Sequence, residues 1–477
     1  VETITHYALD TAVRLQTIHN FGASDAWSMQ YVGKYWPLED RETISDLLFS
    51  TENDSAGNPR GIGLSAWRFN LGAGSAEQGA ASQITDEWRR SECFIAEDKT
   101  YDWSKQAGQQ WFLQAAQQRG VTDFIGFVNS PPVAFTKNGK AWSANGRSAN
   151  LLEAHYDDYA AFLAKAIQEI ARNTGVQLDY ISPFNEPQWE WECCKQEGTP
   201  WNNDEIARAT RAINAALSAA ALTDVKIELP ETAQIDYLYA DKSPRNRDRQ
   251  LSAFFDPHSR YYLGDLEHIA PKIAGHSYFS TWDDTRLVAS RQQLRDSIQA
   301  LNPNLEYWMT EYCLLEDNPR INGAGRDLGI APALYLARVV QADLLYAHAS
   351  AWHWWLAVSP YDYKDGLVYI DKNQAGGRIY PSKMLWALGH FSRFVRPGAV
   401  RIQLSSPNAA AKTGSMASAF QKQSGTIGLG FLNEKAEAQT VGVSGIPAGY
   451  TSTQSYLTSA SSADNLRYIG AVAPDQI

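Results

Sequence analysis

Cysteine is scarce. The chain has four in 477 residues, Cys93, Cys193, Cys194 and Cys313, too few for a disulfide scaffold and spaced for no zinc site. Buried free thiols are the simplest expectation; the alternative, in an exported protein, is a bridge from Cys93 to Cys193 or Cys194. No apolar run approaches the roughly 18 residues that a membrane-spanning helix needs. The opening stretch VETITHYALD has neither a basic nor an apolar signal region, so the expectation is a soluble protein or an exported one whose signal has been removed, at the cell surface, in the periplasm or outside the cell. An excess of positive charge is missing too: 42 basic against 53 acidic residues leave a net charge of -11, which argues against a nucleic-acid partner. None of the nine histidines forms H-x-H or H-E-x-x-H, and no G-x-S-x-G elbow, phosphate-binding loop or dinucleotide glycine fingerprint occurs. These absences set aside the commonest metal, serine-hydrolase and nucleotide chemistries; no metal and no cofactor are expected.

Aromatic residues, in contrast, are plentiful. Sixteen Trp, 23 Tyr and 17 Phe provide flat faces with polar edges, suited to cores and to sugar rings alike. The chain is organised around residues 178–191, LDYISPFNEPQWEW, where a short apolar run leads into Asn185, Glu186 and Pro187. Residues 305–313, LEYWMTEYC, deliver Glu311 in the same way. Two carboxylates, each at the end of a strand, suit acid/base or nucleophilic work on a glycosidic bond.

Strand-like runs recur at residues 21–27, 63–72, 123–129, 178–186, 226–229, 273–279, 305–313 and 351–358. Helical periodicity or a long loop separates them, with helices expected at 39–49, 152–173, 204–222, 266–271, 285–301, 330–349 and 383–394. Eight such alternations point to an α/β protein with a (β/α)₈ barrel. From residue 395 the texture turns to Ser, Thr, Gly and Ala with short alternating runs, and residues 1–17 alternate like a surface strand. The expected division is therefore a barrel over 18–394 and a side β-domain built from 1–17 plus 395–477, with no clear last strand after Tyr468.

In such a barrel the site lies at the C-terminal ends of the strands. That rule collects Asp25 and Trp27, Arg68 and Asn70, Asn129, Asn185 with Glu186, His276 with Tyr278, Glu311, and Trp352 with Trp354 as candidates. Glu231 is a third strand-end carboxylate, expected to support the other two. Glu186 is expected to be the general acid, its pKa raised by burial and by its partner's charge; Glu311 should stay ionised, with Tyr278 and Arg68 supporting it. Arg68 in an apolar strand requires a carboxylate partner, and His276 is either a satisfied core residue or a substrate contact. Alternation along 351–358 sends Trp352 and Trp354 to one face and Trp355 to the other. Trp142, Trp189 and Trp191 are sugar platforms or loop packing.

Asn185-Glu186-Pro187, Thr310-Glu311-Tyr312, Asn129-Ser130-Pro131-Pro132, His276-Ser277-Tyr278 and the run GHFSRFVRPG at 389–398 together resemble glycoside hydrolase family 30, within the retaining clan A, over nearly the whole chain. The resemblance implies a (β/α)₈ barrel with a side β-sandwich from both termini, Glu186 as acid/base and Glu311 as nucleophile. It is greatest to the endo-β-1,6-galactanase-like members; endo-xylanases, β-1,6-glucanases and exo-acting β-glucosidases or β-xylosidases share the motifs. The implied partner is an oligo- or polysaccharide, and the implied state a monomer. The rival from another class is a carbohydrate-binding protein without catalysis.

Overall fold

The computed structural model describes residues 4–406, 415–451 and 453–472. Strand β1 (Ile4–Thr17) turns Tyr7 and Leu9 inward between exposed His6, Ala8 and Asp10, as its alternation requires. The chain then enters a sheet made of β2 (Asn20–Ser24), β3 (Ala66–Asn70), β4 (Asp123–Phe127), β5 (Tyr180–Ser182), β6 (Lys226–Ile227), β7 (Pro230–Thr232), β8 (Lys272–His276), β9 (Glu306–Glu311) and β10 (Ala349–Ser359). All are parallel, in the order β6-β5-β4-β3-β2-β10-β9-β8-β7. The two end members, β6 and β7, are halves of one run, residues 226–232, so the order returns on itself and the sheet forms a (β/α)₈ barrel. The expected fifth strand is thus split: β6 pairs with β5 and β7 with β8. Ala66, Ile125, Trp308 and Ala351 pack together inside, one from each of four strands.

Helices cover the outside. Tyr156–Thr174 buries Tyr159, Phe162, Leu163, Ala166, Ile167 and Ile170 along one stripe and ends at Gly175, whose φ of 75° suits a residue without Cβ. Asn203–Ala219 opens with a capping box between Asn202 and Glu205. Leu38–Phe49, Ala107–Gln118, Asp284–Leu301, Ile330–Tyr346 and Lys383–Ser392 complete the main set. Residues 266–271 are not the expected helix; a short one, Gln250–Phe255, precedes β8 instead.

Beyond the barrel, β11 (Gly366–Ile370) pairs with β10 and with β12 (Ile379–Pro381). A separate sheet joins the two ends of the chain. β13 (Val400–Ser405), β14 (Ser415–Gln421), β15 (Ile427–Asn433) and β16 (Thr440–Ser444) combine with β1 in the order β15-β14-β13-β1-β16. β17 (Thr453–Leu457) and β18 (Arg467–Val472) form an antiparallel ribbon. β18 corrects the expectation that no strand follows Tyr468: its glycine at 470 and arginine at 467 hide the alternation. The architecture is a barrel with a side sandwich. Residues 1–3 and 473–477 of the expected side β-domain lie outside the described residues.

Candidate active site

Glu186 stands four residues beyond the end of β5, in the left-handed region at φ 43°. Its N–H donates to Glu231 O at 2.8 Å, and its own carbonyl accepts from Trp191 Nε1 at 3.0 Å. Tyr159 from the outer helix donates to Pro183 O at 2.8 Å, which holds the connection to β5. Glu311 is the last residue of β9 and is 5% exposed. A carboxylate oxygen of Glu186, one of Glu311 and a ring nitrogen of His276 all lie within 4.8 Å of one another.

His276, fully buried at the end of β8, bridges two carboxylates: Nδ1 to Glu186 Oε1 at 2.8 Å and Nε2 to Glu231 Oε2 at 2.7 Å. Burial alone would lower its pKa, but the charges of Glu311, Glu186 and Glu231 override that and raise it to about 10. The ring is therefore an imidazolium donating from both nitrogens, neither a satisfied apolar-core histidine nor a residue of the cavity wall. With no lone pair to offer, it is a poor metal ligand, so the cluster does not have the donor chemistry of a cation site.

Glu231, on the split strand, gathers the network. Its carboxylate accepts from His276, from Thr310 Oγ1 at 2.7 Å and from Ser182 Oγ at 3.1 Å. Arg68 Nη2 lies 3.5 Å from Glu231 Oε2, and Arg68 Nη1 lies 3.6 Å from Glu311 Oε2. Burial opposes ionisation of Glu231, yet Arg68 and His276 hold its carboxyl well below the ordinary range. Arg68 thus has two carboxylate partners, and its guanidinium lies 4.2 Å above the Phe127 ring. Tyr278 donates to Glu311 Oε1 at 2.9 Å. Burial and the neighbouring Glu186 nonetheless push Glu311 up to about 7, against His276, Arg68 and Tyr278. The expected low pKa of this residue is not what the site produces, because desolvation outweighs its donors.

A cavity of about 460 Å³ opens over this pair. The segment after β5 contributes Asn185, Glu186, Trp189, Trp191 and Gln196; the ends of β8, β9 and β10 contribute Tyr278, Phe279, Glu311, Leu315, Glu316 and Trp355. Phe279 is 57% and Leu315 52% exposed, so the mouth is apolar on that side. Of the sequence candidates, Asn185, Glu186, Tyr278 and Glu311 line the cavity, with Arg68 and His276 directly behind them.

Others lie elsewhere. Trp352 and Trp354 are fully buried, their indole N–H groups donating to Asp343 Oδ2 at 2.9 Å and Asp365 O at 3.0 Å. Trp355, on the alternate face of β10, is the tryptophan in the wall, so the candidate face was the wrong one of the two. Asp25 is also fully buried, accepting from the Asn70 N–H at 2.8 Å and Gln109 Nε2 at 2.9 Å, and burial pushes it up to about 7; both it and Asn70 hold strand ends together and are not in the cavity wall. Trp27 supports Trp355 edge-on, with ring centroids 5.5 Å apart. Asn129 is 2% exposed and its amide atoms have no hydrogen-bond partner. Gln196, Phe279, Leu315, Glu316 and Trp355 escaped the sequence reading; adjacency to Tyr278 and Glu311 was the available signal for the middle three.

Cys193 and Cys194 are joined to each other in the loop that carries Trp191 and Gln196. Cys93 is buried and free, so it bridges to neither.

A family model described as O-Glycosyl hydrolase family 30 matches residues 5–369. An endo-beta-1,6-galactanase of Hypocrea rufa is 24% identical over 230 residues, 45% of this chain and 48% of that protein. An exo-beta-1,6-galactobiohydrolase of Bifidobacterium longum subsp. longum is 26% identical over 147 residues, 30% of this chain and 10% of that protein. The chain thus spans about half the length of the first curated relative and a tenth of the second. A crystal structure of a conserved exported protein from Bacteroides fragilis superposes with a TM-score of 0.91 at 33% identity, covering 99% of this chain and 97% of that one.

Proposed function

The chain belongs to O-glycosyl hydrolase family 30, and on that premise we propose that it is a retaining endo-β-1,6-galactanase. The observation that carries the mechanism is the approach of Glu186 and Glu311, whose carboxylate oxygens come within 4.8 Å under one cavity. Retaining enzymes keep their two carboxyl groups about 5–5.5 Å apart, whereas inverting enzymes leave about 6.5–9.5 Å for a water. Glu311 attacks the anomeric carbon from the β9 end while Glu186 protonates the departing oxygen; Glu186 then deprotonates the water that releases the sugar. His276 Nδ1–H fixes Glu186 Oε1, leaving Oε2 for the glycosidic oxygen. Tyr278 and Arg68 orient Glu311. Asn185, with Oδ1 unpartnered in the cavity wall, is placed to receive a ring hydroxyl.

The linkage is supported by the endo-beta-1,6-galactanase relative. The division of labour follows: residues 18–394 catalyse, and 1–17 with 395–477 support. All cavity residues come from one chain, so a monomer suffices. Export is supported by the Cys193–Cys194 bond, which an oxidising compartment preserves, and by the exported structural relative.

The test is digestion of β-1,6-galactan, glucuronoxylan and β-1,6-glucan with product sizing. A ladder of galacto-oligosaccharides supports the reading. A ladder from another polymer overturns the substrate, disaccharide alone favours an exo mode like that of the galactobiohydrolase relative, and no product from any polymer or aryl glycoside favours a binding protein.

A further inference from the structure

We propose that the Cys193–Cys194 disulfide is a specificity-determining clamp that holds the loop flanking the leaving-group half of the cleft. The proposal rests on the reading of Glu186 as the acid, since the segment running on from the proton donor borders the departing sugar.

The loop is tied down at both ends. Trp191 donates from Nε1 to Glu186 O at 3.0 Å, and its carbonyl accepts from the Ser143 N–H at 2.8 Å. Its ring packs on Gly198, where a Cβ would come within 2.5 Å of it. On the far side the Gly198 N–H donates to Ala141 O at 2.8 Å. Buried Glu197 accepts from the Ala73 N–H at 3.0 Å, the Ser75 N–H at 3.3 Å and Ser75 Oγ at 2.6 Å.

Between these anchors the apex has little else. Among the described residues, no backbone hydrogen bond engages residues 193–196, and the two sulfurs meet only Gln83 Oε1, at 3.7 and 3.8 Å. Yet Gln196, inside this unsupported stretch, lines the cavity. A covalent link between adjacent residues removes the conformational freedom that hydrogen bonds leave unrestrained here. It is also reachable: Cys193 is exposed, whereas Cys93 and Cys313 are buried and free.

A dithiol reductant opens the link. Its thiolate attacks one sulfur to form a mixed disulfide, then its second thiol closes the reagent into a cyclic disulfide, leaving two thiols on the protein. The protein gains two electrons and two protons, and the reagent loses them.

The experiment compares the full chain before and after dithiothreitol with a C193S/C194S variant, by alkylation mass mapping, hydrogen exchange and kinetics. Before reduction neither Cys193 nor Cys194 is expected to react with iodoacetamide; after it, both should. Exchange across residues 192–197 should accelerate about tenfold or more, and KM for a β-1,6-galacto-oligosaccharide should rise about three- to tenfold, while kcat/KM for an activated aryl β-galactoside changes less than about twofold. The serine variant should match the reduced protein and ignore the reagent. Alkylation before reduction, or unchanged exchange and KM after verified reduction, overturns the clamp. Equal losses on both substrates overturn its assignment to the leaving-group side. If neither substrate is cleaved by the untreated chain, the proposed function falls and the exchange measurement alone decides the clamp.

Discussion

His276 Nε2 donates to Glu231 Oε2 across 2.7 Å, and the same Glu231 oxygen lies 3.5 Å from Arg68 Nη2. One buried carboxylate thereby restrains both the cation that fixes Glu186 and the cation beside Glu311. Glu231 touches neither reacting atom; it is a positioning residue. Glu231→Gln is expected to lower kcat about 10- to 100-fold, with KM changed less than about threefold, because misplacement and not lost contact is the cause. The His276 ring should titrate at lower pH in the variant, since a counter-charge is gone. An unmoved imidazole titration by NMR would refute the coupling.

The two-carboxylate assignment divides cleanly by substrate. Glu311→Gln should lose at least about 10³-fold in turnover on every substrate while circular dichroism stays unchanged. Glu186→Ala should lose about 10²–10⁴-fold on galacto-oligosaccharides but little in glycosylation by aryl glycosides with good leaving groups. Equal losses on both substrate classes would remove Glu186 from the acid role.

Acid and base limbs follow from the pair. Carboxylates this close titrate together, and the site takes up its first proton as the pH falls through about 7, where burial and Glu186 have raised Glu311. Double displacement needs one proton on the pair. Above about 7 that proton is lost and kcat/KM is expected to fall; below, activity persists until a second proton binds in the ordinary carboxylate range. A profile from about pH 3 to 9 checks this, and a flat alkaline side would contradict it.

At the other end of β8, Lys272 is buried against Glu228 and stands 3.9 Å over the Tyr180 ring. Burial, with Glu231 adding to it, pushes Glu228 up to about 8. Lys272→Met strands that carboxyl, at a cost of about 3–5 kcal/mol when it is charged. In the variant Glu228 can escape by protonation, so the sign is set by pH: the loss is small at about pH 6 and grows as pH rises through the range where Glu228 ionises. Denaturant titrations at both ends of that range measure it. Activity per folded molecule should not change.

Much of the barrel was legible because buried parallel strands are short apolar runs and their helices carry a clear stripe. The fifth strand was less so, since Pro230 interrupts its ladder and Glu231 takes φ 60°. Glu186 and Glu311 stood out by position; the choice between Trp352 and Trp355 did not. Every residue of β10 is buried, so hydrophobicity cannot tell the barrel interior from the helix-facing side. Asp25 shows the converse: a polar strand end can serve the backbone of its neighbour instead of a ligand. The bond between Cys193 and Cys194, too, depends on loop conformation that spacing does not encode.

β1 lies between β13 and β16 in the side sheet, with Thr17 registered against Val400. The first strand to leave the ribosome therefore waits for a partner 383 positions later in the chain. At 5–20 residues per second that is a delay of about 20–80 s, during which the barrel strands between them can all be made and begin to pair. Until then β1 is an unpaired edge, and its exposed Asp10 and Arg14 are the kind of charges that keep such an edge from pairing with another chain. The seam that closes the molecule is the last to be completed in synthesis, although half of it is made first.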